Sequence, residues 1–179
     1  MNGLLILARW IDALNERVGR MTIWLVLLAT LISAGNALAR YALSDSSNAW
    51  LEIQWYLFGA IFLLGAGYTL KHNGHVRIDI LYGRFGQRGQ AWVDLLGGLF
   101  FLLPLAILMG WLAWPIFLDS WRTLEHSSDS GGLLRWPVKL LLPLGFGLLA
   151  LQGVAEIIKR IGVLSGRYVM PEEKPAEDI

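Results

Sequence analysis

Histidine and carboxylate side chains near residue 72 are the first candidates for chemistry in this chain. His72 and His75 are three residues apart, and Asp79 follows four residues later. On a helical turn this spacing would bring three metal ligands together. Gly74 favours a non-helical turn instead, so we interpret the segment as a cationic loop at the lipid headgroups. None of the chain's histidines lies in an apolar run, which argues against haem ligation between helices. We therefore predict no metal site and no cofactor.

A second polar segment has the residue types of a hydrolase. His126 and Asp129 lie beside three serines, Ser127, Ser128 and Ser130. A catalytic triad needs fixed geometry, which neighbouring residues on one polar loop rarely provide. The chain also has no cysteine, so thiolate metal sites and cysteine nucleophiles are excluded. We predict that the protein is not an enzyme.

The composition is that of a membrane protein. Of the 179 residues, 55% are hydrophobic and 16% are charged, whereas soluble domains carry about 25% charged residues. The net charge of +1 gives no indication of nucleic-acid binding, and we predict none. The apolar residues fall into four runs of spanning length, which predict an all-α protein with transmembrane helices at about 21–39, 50–70, 91–117 and 137–158.

The segments outside these runs complete the predicted organisation. Residues 1–20 have apolar side chains at helical spacing, which predicts an amphipathic helix lying in the membrane interface. The alternative is an extension of the first spanning helix into the cytoplasm. Residues 21–158 form the predicted membrane domain. Residues 159–179 form a tail whose charged end lacks an apolar pattern, so we predict disorder there.

The distribution of basic residues predicts the orientation. Eleven of the fifteen lysines and arginines precede the first run, separate the second from the third, or follow the fourth. Basic residues favour the cytoplasmic side of a membrane. Both termini are therefore predicted to be cytoplasmic, with the loops at 45–48 and 119–136 facing outward.

Charged residues at the predicted outer boundary are further candidates. Arg40 ends the first run, and Glu52 lies in the expected first turn of the second helix. Since the connection is short, we predict an ion pair of Arg40 with either Glu52 or Asp45. Side chains capable of capping the second helix precede it at 45–48.

A polar and small face is also expected on the first helix. Ala29, Ser33, Asn36, Ala37 and Arg40 share one side at helical spacing. Small residues permit close approach of helices in lipid, and asparagine can form a hydrogen bond across such an interface. We therefore predict that this face points into protein, in this chain or in a partner.

The spans lack the features of a solute pathway. Ionisable residues do not form a series across the membrane, and no helix shows the polar break at mid-bilayer that many substrate sites require. This pattern favours a membrane scaffold or an accessory subunit. A self-sufficient homo-oligomeric transporter or channel, with Glu52 as its coupling carboxylate, is the alternative. A membrane adaptor of unrelated function is a third class.

The second run and the turn after it carry a family resemblance. An acidic residue opens the run, a glycine lies within it, and a basic residue precedes a His-Val-Arg-Ile-Asp turn. The sequence resembles the small membrane subunit (DctQ type) of tripartite ATP-independent periplasmic (TRAP) transporters. The resemblance covers the four spans and is sharpest at Glu52, Trp55, Gly65, Lys71, His75, Val76, Arg77 and Asp79.

The resemblance implies a role in secondary active transport. Members of this family bind a large membrane subunit that carries the solute with sodium, and a periplasmic solute-binding protein delivers that solute. The small subunit enlarges the static scaffold of this elevator-type partner in the bacterial inner membrane. The resemblance thus implies uptake driven by an ion gradient.

Residues of this stretch are then expected to serve assembly. Lys71, His75, Arg77 and Asp79 could hold the cytoplasmic end through charges to phospholipid or to the large subunit. Trp55 and Tyr56 follow Glu52 by about one helical turn. We expect them to face protein, with lipid as the alternative.

Overall fold

The computed structural model describes residues 2–43, 47–74, 82–129 and 131–168. Four helical rods in this part of the chain are long and apolar enough to span a membrane. The third rod, 87–123, contains a π-helical turn at Gly98–Leu102 between two α-helices. The predicted all-α, four-span architecture is confirmed. The helices are α1 (Asn2–Leu43), α2 (Asn48–Lys71), α3 (Gln87–Gly97), α4 (Leu103–Thr123) and α5 (Trp136–Leu164).

Local sequence explains where two of these elements begin. Ser47 is the N-cap of α2, and its hydroxyl accepts a hydrogen bond from the Ala49 N–H at 3.3 Å, as one of the predicted capping side chains. The π-helical turn immediately precedes Pro104. Proline lacks an N–H and crowds the carbonyl four residues earlier. The widened turn accommodates this, with the Leu103 N–H bonded to the Gly98 carbonyl.

The first span is longer than predicted. α1 runs without a break through residue 20, as the alternative of an extended spanning helix requires. The apolar side chains that predict the amphipathic helix are Leu4, Leu7, Ile11, Leu14 and Val18. Of these, Leu4, Leu7 and Leu14 are exposed, whereas Ile11 is buried. The position of this segment relative to the membrane interface stays a prediction.

A face of α1 that includes Ile11 forms the contact with the other helices. Its buried side chains include Ala8, Ile11, Asn15, Ala29 and Asn36. Their spacings of three, four, fourteen and seven residues follow a heptad pattern. Such a seam keeps one face of a helix against its partners when the helices cross at a shallow angle. The seam continues through the whole length of α1, which explains why the helix has no boundary near residue 20.

α5 is the central helix, since α1, α2, α3 and α4 all pack against it. Glycines permit close approaches between these helices. A Cβ atom on Gly145 of α5 would lie 2.8 Å from the Leu63 carbonyl oxygen of α2. A Cβ atom on Gly67 of α2 would lie 3.3 Å from the Leu148 carbonyl oxygen of α5. The α2–α5 pair is therefore in backbone-to-backbone proximity, the packing mode that small residues permit in lipid.

We name the two ends of the molecule by the predicted orientation. The inner end contains residues 2–20, the end of α2, the start of α3 and the end of α5. The outer end contains the start of α2 and the segment 124–135 between α4 and α5, which we call the outer loop.

Candidate functional site

The outer loop folds into a narrow hairpin. Ser127 donates its N–H to the Leu133 carbonyl at 2.9 Å, and Arg135 donates its N–H to the Glu125 carbonyl at 2.8 Å. An isolated antiparallel bridge joins His126 to Leu134 between them. His126 and Ser127, considered above as hydrolase residues, thus belong to a loop whose backbone is internally bonded, while Ser130 lies outside the described residues.

Glu52 fastens this hairpin to α2. The residue is only 5% exposed, and its Oε2 accepts a hydrogen bond from the Leu133 N–H at 2.7 Å. The Ser127 hydroxyl approaches the same carboxylate. Gly132 completes the contact, since a Cβ atom there would lie 2.9 Å from Glu52 Oε1 and 2.4 Å from the Ser127 Cβ. Glu52 therefore acts as an acceptor for loop donors and is enclosed by the loop.

This position corrects two predictions about Glu52. α2 has no acidic residue in its first turn, so Glu52 lies one turn deeper than expected and the helix dipole does not explain it. The predicted Arg40–Glu52 ion pair is also wrong, because the loop occupies the carboxylate and Arg40 lies exposed near the end of α1. The alternative partner, Asp45, lies outside the described residues.

The two aromatic residues after Glu52 lie in different environments. Tyr56 is half-buried and donates its hydroxyl proton to the Leu134 carbonyl at 2.9 Å. It therefore supports the same loop from one turn further along α2. Trp55 is 67% exposed and points away from the chain. The expectation that both side chains face protein is met within this chain by Tyr56 alone.

An ionic group closes the base of the outer loop. The Glu125 carboxylate pairs with the Lys139 ammonium of α5, and the Arg135 guanidinium lies 3.8 Å from it. The Lys139 hydrogen bond is the main cause that lowers the pKa of Glu125 below its ordinary value. The loop is thus joined to α2 by Glu52 and Tyr56 and to α5 by Glu125.

Asn36 lies further down α1 from the outer end. It is 8% exposed and lines a cavity between the outer parts of α1 and α2. Of the predicted small face, Ala29 is buried with it, whereas Ser33, Ala37 and Arg40 are exposed. Only the edge of this face that carries Ala29 and Asn36 is therefore buried.

At the inner end, Glu16 of α1 binds the end of α2. Its Oε2 lies 2.7 Å from Lys71 Nζ and 2.8 Å from His72 Nε2. Arg20 reaches the other oxygen of the same carboxylate at 2.9 Å. Lys71, expected to contact phospholipid or the large subunit, is instead engaged within the chain.

A polar cluster is buried where α1 crosses α5. Asn15 and Gln152 have no exposed surface, and the Asn15 amide donates to Gln152 Oε1 at 3.0 Å. Gln152 Nε2 in turn donates to Asp12 at 2.7 Å and to Glu156 at 3.0 Å. Lys159 Nζ bonds to both of these carboxylates, at 3.2 Å and 2.6 Å. Every charged member of this cluster therefore has an opposite charge beside it.

A second ion pair holds α3 against α5. Arg160 lies 2.9 Å from Asp94, whose carboxylate also accepts the Tyr82 hydroxyl at 2.7 Å. These groups border a cavity of about 460 Å³ that Leu70 and Phe85 also line. Asp94 thus holds α3 against α5, whereas Glu156 bonds to Gln152 and Lys159 of its own helix.

The inner cluster was missed at the sequence level, although a signal was present. Gln152, Glu156 and Lys159 recur at intervals of four and three residues and so share a face of α5. Asp12 and Asn15 are three residues apart on α1. Two matched polar faces in otherwise apolar helices could have indicated a crossing, but not which helices cross.

Three of the predicted site residues, His75, Arg77 and Asp79, lie outside the described residues. The metal site considered for His72 with His75 and Asp79 falls there as well. Across the residues that the structure describes, no group of three histidine or acidic side chains is placed to hold a metal ion.

Hydrogen bonds and ion pairs join the helices at both ends of the molecule, and the middle parts of the helices are apolar. No aspartate, glutamate, lysine, arginine or histidine occurs in 21–39, 53–70, 95–118 or 140–155, which form the central parts of the four rods. Such a molecule offers helical surface to lipid or to another membrane protein, rather than a charged path through itself.

Comparison with known proteins supports this reading. Neither the curated proteins nor the solved structures gave a match to this chain. Residues 29–162 match the family described as "Tripartite ATP-independent periplasmic transporters, DctQ component". The matched region covers most of the chain and contains α2 to α4, the outer loop and nearly all of α5. The chain therefore belongs to the DctQ family, the small membrane component of TRAP transporters.

Proposed function

We propose that this protein is the small permease subunit of a TRAP transporter in the bacterial inner membrane, with both termini in the cytoplasm. It would enlarge the scaffold of a large, sodium-coupled elevator subunit, which takes up a solute delivered by a periplasmic solute-binding protein. The observation that carries the proposal is the closure of both ends by internal bonds around an apolar middle. A rigid, lipid-exposed body of this kind suits a part that stays fixed while its partner moves.

The closed outer end favours this role over self-sufficient transport. A coupling carboxylate must release and take up an ion or a proton in each cycle. Glu52 is enclosed by the outer loop and accepts the Leu133 N–H, so its release would unfasten the hairpin. The homo-oligomeric transporter or channel that uses Glu52 is the less favoured candidate for this reason.

The outer loop is then a structural element of the periplasmic face. Its backbone is bonded as a hairpin, and its contacts with Glu52 and Tyr56 join it to α2. At the other end, Lys71 is held by Glu16. Contact with phospholipid or with the large subunit is accordingly proposed for His75, Arg77 and Asp79.

The proposal is tested by purification and uptake. The tagged chain is expected to co-purify in mild detergent with a large membrane subunit, and vesicles with both subunits should take up solute only when the binding protein and a sodium gradient are present. Transport by this chain alone in vesicles would contradict the proposal, as would the failure of any large membrane protein to co-purify.

Two substitutions probe the two ends. Glu52→Ala removes the acceptor of the outer loop and Arg77→Gln removes a basic group of the inner turn, and both should reduce complex yield or uptake. Asp119→Asn, at an exposed acid near the outer end of α4, is the matched control and should behave as wild type. Unchanged yield and uptake in both test variants would count against the assembly role of this stretch.

A further inference from the structure

A groove between the outer parts of α1 and α2 is not filled by the parts of the chain that the structure describes. It encloses about 420 Å³, and its lining includes Leu31, Gly35, Asn36 and Ala39 from α1 and Trp50 from α2. A Cβ atom built on Gly35 meets nothing within 4 Å. On its α1 side the groove is therefore lined by two small residues, Gly35 and Ala39, which are four positions apart. This small-xxx-small spacing is the one that lets a second helix backbone approach closely in lipid.

The groove also contains a polar side chain that has no hydrogen-bond partner among the described residues. Asn36 is 8% exposed and lines the groove. Its amide forms no hydrogen bond or ion pair with the parts of the chain at 2–43, 47–74, 82–129 and 131–168. By contrast, Asn15 on the same seam of α1 is bonded to Gln152. An amide that faces an apolar environment without a hydrogen-bond partner is unfavourable, so an occupant of the groove that bonds to Asn36 would be stabilised there.

We infer that this groove receives a transmembrane helix of the large subunit, which places a hydrogen-bonding side chain against Asn36. The inference rests on the proposed function for the identity of the partner. Gly35 and Ala39 allow the approach of the partner helix, and the Asn36 amide supplies both a donor and an acceptor to a serine, threonine, asparagine or glutamine on it.

A lipid chain is a poorer match to the groove than a helix. An acyl chain offers no donor or acceptor to an amide. Lipid ester groups lie near the headgroup boundary, whereas Asn36 lies about 6 Å, or one helical turn, inside Arg40, the residue at the predicted outer boundary. The polar partner must therefore reach Asn36 at a depth where a bilayer is hydrocarbon.

A second copy of this chain is also a poorer match. A two-fold contact would bring the same surface of both copies together. Two concave grooves facing each other would leave both unfilled, and each Gly35 would face open space. A convex helix from a different protein fills the concave surface and meets the amide at the same time.

The first test uses substitutions that act on the groove without disturbing the chain. Gly35→Leu fills open space and replaces a glycine by a good helix former, and Asn36→Leu removes an amide that has no partner in the described chain. The tagged variants are co-expressed with the large subunit and purified from mild detergent. We expect the recovery of large subunit to fall about tenfold for Gly35→Leu, from overpacking, and about threefold to tenfold for Asn36→Leu.

The matched control is Gly147→Leu on α5, where an added Cβ also meets nothing within 4 Å. It should keep wild-type recovery. Retention of the large subunit by both groove variants would overturn the inference and leave the proposed function intact. An equal loss in the Gly147→Leu control would also overturn it, because the effect would not be specific to the groove. If wild-type chain itself recovers no large subunit, the proposed function fails first.

The second test identifies the occupant in membranes. The chain has no cysteine, so Ala39→Cys introduces a single site for a benzophenone maleimide in the groove. Ala37→Cys places the same probe on an exposed position about 160° away around α1. We expect light to join the residue-39 probe to the large subunit, with little product from the residue-37 probe. A product with a second copy of this 20.0 kDa chain, or with lipid alone, would overturn the inference.

Discussion

The hydrogen bond between Asn15 and Gln152 predicts a measurable coupling between α1 and α5. Both side chains are fully buried, and the bond is 3.0 Å long. Gln152 makes a second contact to α1 through Asp12, at 2.7 Å. Methionine is similar in shape to glutamine, so Gln152→Met removes both hydrogen bonds to α1 at little change in volume. It leaves the Asn15 amide without an acceptor on α5.

The size of the effect follows from the number of bonds. Hydrogen bonds between membrane helices average about 0.6 kcal/mol and reach about 1.7 kcal/mol, so the two links contribute roughly 1–3 kcal/mol. The unpaired donor left on Asn15 adds about 1 kcal/mol or more. We expect Gln152→Met to lower the free energy of unfolding by about 2–4 kcal/mol.

The assay is reversible unfolding of the isolated chain by dodecyl sulfate in mixed micelles, followed by tryptophan fluorescence. A double-mutant cycle with Asn15→Leu isolates the pair, and its coupling energy should be about 0.6–1.7 kcal/mol. Thr30→Val is the control, since the exposed Thr30 hydroxyl bonds only to the Val26 carbonyl of its own helix at 2.9 Å. A coupling energy of zero within error would refute the reasoning, because the two amides would then contribute independently.

Two further predictions concern packing and acid stability. Gly145→Ala should destabilise the chain by about 1–3 kcal/mol through overpacking, because the added Cβ would lie 2.8 Å from the Leu63 carbonyl oxygen. Gly147→Ala, where the added Cβ meets nothing within 4 Å, should be neutral or stabilising in the same unfolding assay. Because the Lys139 ammonium lowers the pKa of Glu125 in the folded chain, this carboxylate contributes stability above its unfolded pKa and loses it as the pH falls through the folded pKa. Glu125→Gln should therefore flatten the acidic limb of a pH–stability curve, and an unchanged limb would contradict the pairing.

The spans could be predicted from the sequence because length and composition decide them. Apolar runs of spanning length must satisfy their backbone groups internally, and helices are the simplest solution. The family could be recognised because its residues occur in order within and after one run. Neither inference needs to know which helices touch.

The contacts at the two ends could not be predicted because they join residues far apart in the chain. Glu52 and Leu133 are separated by 81 positions, and Asp12 and Lys159 by 147. The sequence shows that Glu52 is acidic and close to an end, and a dipole or an ion pair with Arg40 is the local explanation. The outer loop overrides it by supplying backbone and hydroxyl donors.

The packing face of the first helix could not be predicted for a related reason. The apolar side chains at Leu4, Leu7, Ile11, Leu14 and Val18 predict a helix lying in the interface, but only Ile11 of these belongs to the buried residues of the seam. In a membrane protein lipid can cover such side chains, and the polar side of the helix can pack inward when it meets polar partners. Asn15 is such a case, since it lies in the seam while Leu14 is exposed.

The two asparagines of α1 show how one seam can serve two purposes. Asn15 and Asn36 are 21 residues apart, three heptads, and therefore occupy the same side of the helix. The inner one donates a hydrogen bond to Gln152 within the chain, and the outer one lines a groove that the described residues leave open. Since an amide in an apolar seam lowers stability unless it is bonded, Asn36 is explained as a specificity element for a partner. Asn36→Leu should then leave the isolated chain at least as stable as wild type while it weakens the complex, a divergence that a purely structural residue would not produce.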